Sequence, residues 1–212
     1  PRKESCLGGG SNGTGFGDEA LLSYLARVNY GYADRYLATV TYRIDGSSKF
    51  GPNNKFGHFP SLALAWRVNS VSFMDNVPSI YSLKLRASIG TSGNDAIPNY
   101  LYIPTMTPSV YYFNNGGPST GYSQGVIAND DLKWETTRQL DIGLDVAFFQ
   151  GRISVVTDYY NKFTYDMLYF AEIPYITGFS NALINVGSMV NRGFEFTLNT
   201  VNVAGAFNWS TD

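Results

Sequence analysis

Few side chains in this sequence have the types and spacing that catalysis needs. The chain has one histidine, His58, and one cysteine, Cys6, so a histidine triad is disfavoured and no disulfide can form within the chain. Asp141 and Asp145 point to one side of a predicted strand, but four residues at about 3.3 Å each separate them by roughly 13 Å. The two carboxyls of a glycosidase lie about 5–9.5 Å apart. We therefore interpret the pair as polar residues of one sheet face, and we predict no catalytic residue and no enzyme.

The sequence also predicts no metal site and no cofactor. The Asn-Asp-Asp run at 129–131 offers oxygen ligands, but it lacks the spaced ligands of an EF-hand loop and is interpreted as a solvated turn. The glycines at positions 13, 15 and 17 neither follow a predicted strand nor precede a Lys-Ser/Thr pair, which a phosphate-binding loop requires.

Aromatic and amide side chains are dense in two long segments without alternation, 90–133 and 164–186. Aromatic faces beside amides suit a neutral polar ligand such as an oligosaccharide, because the rings stack on it while the amides orient it. Alternatively, these rings pack the loops against one another, since loops of this length need internal packing. The candidate substrate-binding residues are Tyr111, Tyr112, Phe113, Asn115, Tyr169 and Phe170.

These segments belong to a chain that is poor in charge and rich in rings. Of 212 residues, 16% are aromatic and 15% are charged, whereas an average globular protein has about 25% charged residues. Fifteen basic and 17 acidic residues give a net charge of −2, which disfavours nucleic-acid binding through phosphate neutralisation. No apolar run approaches the roughly 18–20 residues of a membrane-spanning helix.

The elements that must position the candidate residues are β-strands. Apolar and polar residues alternate with a period of two in almost every regular segment, and helical spacing is nearly absent. We predict about eight strands, several of which reach the roughly 9–11 residues that a tilted strand needs to cross a bilayer. Their alternating runs lie at 24–30, 38–44, 62–66, 83–89, 140–148, 153–159, 194–198 and 207–211.

The connections between these strands alternate in length. Short links are predicted at Tyr32 to Arg35, Val71 to Ser79, Gln150 to Gly151 and Asn202 to Gly205; long ones at Gly46 to Pro60, Gly90 to Lys133 and Thr164 to Val186. A membrane barrel has short turns on one side and long loops on the other. A soluble sandwich has modest loops at both ends.

Two further features favour the barrel, although alternation alone fits both architectures. The predicted polar face carries mainly Thr, Ser, Asn and Gln, as a wet lumen does, and few of the Lys and Glu residues that a soluble sandwich shows to water. Rings near the strand ends suit interfacial girdles. These rings are Tyr30, Tyr32, Tyr36, Phe148, Phe149, Tyr159, Tyr160 and Phe163.

Five strings in order resemble those of SusC/RagA-type TonB-dependent transporters, the outer-membrane nutrient importers of Bacteroidetes. Each string is weak by itself, but their order and spacing match over residues 20–212. They are Asp45 to Gly51 with Phe59 to Ser61 (DGSSxFG…FPS), Leu83 to Asn94 (LKLRxSxGxxGN), Leu132 to Asp145 (LKWETT…DIGLD), Asp158 to Thr164 (DYYxKxT) and Asn185 to Glu195 (NVG…NxGxE).

The resemblance implies an all-β, antiparallel transmembrane β-barrel of roughly 22 strands with long extracellular loops, of which this chain supplies about eight. We therefore interpret residues 1–212 as a partial barrel domain from the C-terminal half, with the plug domain and the TonB box absent from the chain. Such a piece leaves two unpaired strand edges when it stands alone.

The resemblance further implies TonB-energised import of an oligosaccharide or a peptide across the outer membrane. Its implied partners are a SusD-like surface lipoprotein over the extracellular mouth, TonB acting through the absent N-terminal region, the cargo and outer-membrane lipid. The candidate aromatic residues would then line the substrate chamber or pack against the lipoprotein. The alternative is a soluble all-β glycan-binding or adhesin module, which would be a dispersed monomer without detergent.

Overall fold

The structure, a computed structural model, describes residues 17–68, 79–112, 118–204 and 207–211 and consists mainly of β-strands. Within those ranges, no helix is long and apolar enough to cross a membrane. The strands are β1 Leu21–Tyr32, β2 Tyr36–Ser47, β3 Phe56–Arg67, β4 Ile80–Asn94, β5 Met106–Tyr112, β6 Pro118–Gln124, β7 Glu135–Phe148, β8 Ile153–Tyr165, β9 Leu168–Glu172, β10 Asn181–Asn185, β11 Ser188–Val203 and β12 Trp209–Thr211.

Eight of these strands form one antiparallel sheet in the order β1-β2-β3-β4-β7-β8-β11-β12. The predicted eight-stranded antiparallel wall is therefore confirmed, and each alternating run lies within or overlaps one of its strands. The other four strands form two separate hairpins, β5–β6 and β9–β10, inside the segments that were predicted as long loops. Alternation did not reveal these hairpins, because their short strands carry rings, Ser and Gly without a consistent apolar face.

The register keeps every apolar run on the same face of the sheet. One continuous row pairs Val28 with Val40, Val40 with Leu62, Leu62 with Ile89 and Ile89 with Leu140. Because side chains alternate along a strand, a slip of one residue would move a whole run to the polar face. Cross-strand pairs of this kind stabilise a sheet by roughly 0.2–1 kcal/mol each.

The connections differ between the two ends of the strands, where successive strands are joined. At one of these ends, which we name the turn edge, residues 33–35 join β1 to β2. Ala33 and Asp34 both have positive φ (51° and 53°), and the Arg35 N–H donates to the Tyr32 carbonyl at 3.0 Å. Positive φ at both central positions gives a hairpin turn the twist of its strands. The predicted turn at Gln150 to Gly151 is confirmed as a short 3-10 turn, Phe149–Gly151. The predicted link at Val71 to Ser79 lies, except for Ser79, outside the described residues.

The two longest connections leave the opposite ends of the strands, which we name the loop edge. Residues 48–55, 95–134 and 166–187 connect strands there, and the last two contain the β5–β6 and β9–β10 hairpins. Six of the seven buried hydrophobic residues among the described ones also gather at this edge, where they form a cluster described below. The predicted alternation of short and long connections holds except at residues 68–79, a link that was predicted to be short but, at 12 residues, is longer than the eight-residue connection 48–55.

The sheet is open along its outermost strands. Among the described residues, β1 pairs only with β2, and β12 pairs only with β11. Unpaired backbone groups along such edges are not tolerated in lipid, so in a membrane both edges require further strands.

Rings lie at the ends of strands at the turn edge, as predicted, but not at every predicted position. Tyr36 stacks on Trp66 with ring centres 6.2 Å apart, next to the β1–β2 turn. Tyr159 and Tyr160, in contrast, lie in the middle of β8 rather than at its end. Tyr160 is paired with Asp141 and therefore belongs to the polar face. The alternation assigned Tyr159 and Tyr160 to opposite sides correctly, but its run ended at Tyr159, whereas β8 continues to Tyr165.

Candidate functional site

The polar face of the sheet is the first part of the candidate site. Register brings together side chains from four strands, β4, β7, β8 and β11, in rows that are free of aliphatic residues over much of their length. Together they border a shallow depression of about 390 Å³. Its lining includes Ser88, Gln139, Asp141, Tyr160, Lys162 and Glu195.

A charged network crosses this face between β4, β7 and β8. Arg86 donates through Nε and Nη2 to Asp145 Oδ1 at 3.0 and 2.7 Å, and through Nη2 to the two Asp158 oxygens at 3.0 and 3.2 Å. Lys84 Nζ lies 3.7 Å from Asp145 Oδ2. We name these four residues the polar network. Two cations opposite two carboxylates leave the network without net charge.

Gly143 makes the polar network possible. It lies on β7 directly opposite both Arg86 and Asp158. A Cβ at this position would collide with Asp158 Oδ1 and would stand 2.9 Å from Arg86 Cζ. Because Gly143 has no side chain, the Arg86 guanidinium can pass over this position from β4 to reach Asp158 on β8.

Asp141 forms a second polar group rather than a pair with Asp145. Ser88 Oγ donates to Asp141 Oδ2 at 3.2 Å, and Gln139 Nε2 donates to Asp141 Oδ1 at 2.7 Å. Both carboxylates thus line the polar face, as predicted, and each is bound by different neighbours. Such a surface can orient hydroxyl and amide groups by hydrogen bonds.

The second part of the site is a packed cluster at the loop edge, which we name the loop cluster. Its centre is Trp134, whose ring lies 5.2 Å from that of Phe50 and 5.6 Å from that of Phe59, the latter edge to face. The indole N–H donates to the Lys55 carbonyl at 3.2 Å, so the buried ring has its hydrogen bond. The members are Phe50, Phe59, Ile97, Leu132, Trp134 and Leu183.

The loop cluster joins all three long connections. Polar contacts reinforce it, because Asn185 accepts from the Lys133 N–H at 3.0 Å and donates to the Lys133 and Asp166 carbonyls at 2.8 Å. Lys133 Nζ also pairs with Asp166 Oδ2 at 2.9 Å. A connection that is held at both ends in this way presents its hairpin in a fixed position.

The segment Asp45 to Gly51 is part of this anchoring. Ser47 Oγ donates to Asp95 Oδ2 at 2.8 Å, and Lys49 Nζ donates to the Asp95 carbonyl at 3.3 Å. Gly51 lies against the Asp130 carbonyl oxygen, which would be 2.8 Å from a Cβ at that position. The segment Asp45 to Gly51, which resembles the DGSSxFG string, therefore holds the connection 95–134 in place.

The two predicted binding groups lie on different hairpins. Tyr111 and Tyr112 end β5, where they pair with Ser119 and Pro118. Phe113 and Asn115 lie outside the described residues. Tyr169 and Phe170 lie on β9 and are 62% and 45% exposed. Their role in binding stays a prediction.

Other residues singled out from the sequence have local roles. His58 Nδ1 lies 2.9 Å from the Tyr42 hydroxyl, and the two rings stack. The run 129–131 is a turn in which the Asp131 N–H donates to Asn129 Oδ1 at 3.1 Å. No group of three or more potential metal ligands occurs within the described residues.

Sequence reasoning had not identified Arg86, Ser88, Gln139, Lys162 or Glu195 as members of a site. The signal was present in the alternation, because each stands on the polar side of its own strand. Only the register shows that these positions face one another.

Comparison with known proteins identifies the architecture to which both parts belong. Residues 8–212 match the family described as TonB dependent receptor-like, beta-barrel. TonB-dependent receptor P26 of Formosa agariphila is 44% identical over 196 residues, which are 90% of this chain and 19% of that protein. TonB-dependent receptor SusC of Bacteroides thetaiotaomicron is 39% identical over 183 residues, 84% of this chain and 18% of that protein.

Solved structures agree with these relatives. The RagAB peptide importer in its closed-closed state matches with a TM-score of 0.80 and 33% identity, over 89% of this chain and 20% of that one. The siderophore receptor PirA of Pseudomonas aeruginosa shares the fold, with a TM-score of 0.56 at 16% identity over 91% of this chain and 33% of that one. The chain spans about a fifth of the length of its SusC-named relative. With its two-faced open sheet, the chain belongs to the TonB-dependent receptor family, as part of the β-barrel domain, and resembles SusC and RagA within it.

Proposed function

We propose that the chain forms part of the wall and mouth of an outer-membrane transporter that imports oligosaccharide or peptide with energy from TonB. A SusD-like lipoprotein covers its extracellular mouth in this proposal. The TonB-dependent barrel family is an outer-membrane family of transporters and receptors in Gram-negative bacteria, and it is not an enzyme class. The likeness to an importer of peptides supports peptide as cargo, and the exposed rings Tyr169 and Phe170, which could stack on a sugar, keep oligosaccharide as the second candidate.

The observation that carries this proposal is the contrast between the two faces of the sheet. Val28 and Phe194 on the apolar face are 66% and 79% exposed, and nothing among the described residues packs on this face. The opposite face carries the polar network and the hydrogen-bonded Asp141. A wall between lipid and a wet lumen requires this arrangement.

The soluble all-β module is the alternative that the sequence left open. A sandwich buries its apolar strand faces against a second sheet. Here eight of the twelve described strands form one sheet and the other four form two hairpins, so the apolar face has no large second sheet within the described residues. Solubility tests the choice directly. We expect the full-length protein to require detergent, and a dispersed monomer in plain buffer would contradict membrane insertion.

The proposed cargo-binding residues include the exposed rings of the β9–β10 hairpin. Leu168 packs against the loop cluster and Leu183 belongs to it, so the β9–β10 hairpin is anchored while Tyr169 and Phe170 stay exposed. Exposed rings on an anchored hairpin can stack on sugars or on peptide side chains at low entropic cost. Tyr111, Tyr112, Phe113 and Asn115 are proposed for the same chamber.

The test uses full-length protein in which Tyr169→Ala and Phe170→Ala are combined. We expect cargo affinity to fall by about tenfold, the effect of losing roughly 1.4 kcal/mol of stacking. The quadruple alanine variant of residues 111, 112, 113 and 115 should have a similar effect. Tyr175→Ala is the control, because Tyr175 is 84% exposed at the tip of the same hairpin but is not a candidate. Unchanged affinity and uptake in both variants, with normal barrel assembly, would contradict the proposed binding site.

A further inference from the structure

Two arginines interrupt the apolar face near the loop edge. Arg138 precedes Leu140 by two residues on β7, so both side chains are on the same face, and Arg138 pairs with Phe163 of β8. Arg192 of β11 pairs with Asn161 of β8, which in turn pairs with Leu140. The two arginines are exposed and lie in adjacent rows of this face.

Both arginines stand where the membrane-spanning part of the wall ends. Counting about 10 residues from Phe148, the length of a tilted spanning strand, reaches Gln139. Arg138 is therefore just beyond the apolar stretch, and the register places Arg192 in the next row. An arginine on the lipid face costs about 2–4 kcal/mol at the bilayer midplane and only about 0–1 kcal/mol at the interface. Arg138 and Arg192 therefore lie at the depth of the lipid headgroups.

The two guanidinium groups have no anionic partner within the described part of the chain. Neither takes part in any of its ion pairs or side-chain hydrogen bonds. The acidic residues of β7, β8 and β11 all lie on the opposite face by register: Glu135, Asp141, Asp145, Asp158 and Glu195. The apolar face thus carries uncompensated positive charge in these two adjacent rows.

The spacing of the two arginines suits a phosphorylated headgroup. One strand separates them and their rows differ by two residues, which places their Cα atoms roughly 12 Å apart. Guanidinium groups bind phosphate through two parallel hydrogen bonds, and the Asn161 amide lies between them. Phe163, Val190 and Leu140 beside them offer apolar surface to acyl chains.

We propose that Arg138, Arg192 and Asn161 form a site for the phosphate of lipid A in the outer leaflet of the membrane. The inference rests on the membrane placement in the proposed function, but it requires no particular cargo. Bound lipid would fix the wall at the level where the loop cluster begins.

The experiment measures lipid A retained by full-length protein purified from outer membranes in mild detergent, by mass spectrometry per mole of protein. We expect R138Q/R192Q to lower retained lipid A by about tenfold, as loss of charge-assisted hydrogen bonds predicts. K162Q is the matched control. Lys162 lies at the same height on the opposite face, where it pairs with Gln139 and Asn191. Equal retention by R138Q/R192Q and wild type would overturn the proposal, as would an equal loss in K162Q.

A second measurement tests for phosphate itself. Delipidated wild-type protein should be stabilised against thermal unfolding by lipid A and much less by dephosphorylated lipid A, and R138Q/R192Q should lose this difference. Equal stabilisation by both lipids would overturn phosphate recognition. Cargo uptake is measured separately in the same strains. Lost import with intact lipid retention would count against the proposed function alone.

Discussion

The sheet and the loop cluster are stabilised in different ways. In the sheet, backbone ladders join eight strands, yet both faces stay open and most apolar side chains are exposed. In the loop cluster, six buried hydrophobic side chains from three connections and from strand β3 exclude water around Trp134. The wall is therefore a surface between two solvents, whereas the loops form a miniature core of the kind found in soluble domains. Changes in the two regions should have different sizes and different readouts.

The largest effect is expected in the loop cluster. Trp134→Ala removes the ring that contacts both Phe50 and Phe59 and should destabilise the packed loops by about 3–5 kcal/mol, the usual cost of truncating a buried aromatic residue. Limited proteolysis of the full-length protein should then show faster cleavage within residues 95–134.

Trp66→Ala is the matched control in the wall. Trp66 stacks on Tyr36 near the turn edge and does not belong to the loop cluster. We expect the loops of the Trp66→Ala variant to be cleaved at the wild-type rate. Equal protection in Trp134→Ala and wild type would show that the loop cluster does not hold the loops.

A smaller effect is expected where the wall is tightly packed. Gly143→Val places a side chain between Arg86 and Asp158, and overpacking of this kind costs about 1–3 kcal/mol. The thermal unfolding midpoint of the full-length protein in detergent should fall. Gly31→Val serves as control, since its Cβ would meet only Leu37 Cδ2, at 3.5 Å. Equal thermal unfolding midpoints for both variants would show that the polar network accommodates a valine at residue 143 without loss of stability.

The smallest effect is expected from the charge of the polar network. Arg86→Met leaves Asp158 without its cation, but the three side chains are each about a third exposed, at 38%, 30% and 28%. Solvent screening then limits the loss to about 1 kcal/mol. Urea unfolding at low salt should reveal it, and roughly 1 M salt should reduce it.

Arg27→Met is the control for charge alone. Arg27 makes one hydrogen bond to Thr41 at 3.2 Å and belongs to no ion pair among the described residues. A loss in Arg86→Met that is as large at high salt as at low salt would show that packing, and not charge, determines the contribution of Arg86.

The strand order and the faces of the sheet follow from the sequence because alternation is a local property. Each run shows by itself which residues share a side, and the apolar runs pin the register of neighbouring strands. In an antiparallel sheet of sequential strands, every second connection lies at the same end of the strands. The order of the connections along the chain therefore predicts which of them share an edge. The family-like strings agree with both features.

The site was only partly predictable. Asp141 and Asp145 were assigned correctly to the polar face, but the ion pair of Asp145 with Arg86, which also binds Asp158, was not expected. The distances along the chain from Asp145 to Arg86 and to Asp158 explain this. They are 59 and 13 residues, and only the register brings the three side chains together. The hairpins β5–β6 and β9–β10 were missed, because an anchored hairpin depends on tertiary contacts at its ends and not on a repeating pattern.

The sequence by itself determined a two-faced antiparallel wall with long connections on one edge, because side-chain alternation and connection length are fixed by the order of residues. Tertiary structure alone decided which polar groups meet across strands, that Gly143 opens the space for Arg86, and that Trp134 gathers the loops. It also placed Arg138 and Arg192 in adjacent rows of the apolar face, near the loop edge. Each of these depends on distances between strands that are far apart in sequence, and no local pattern records such distances.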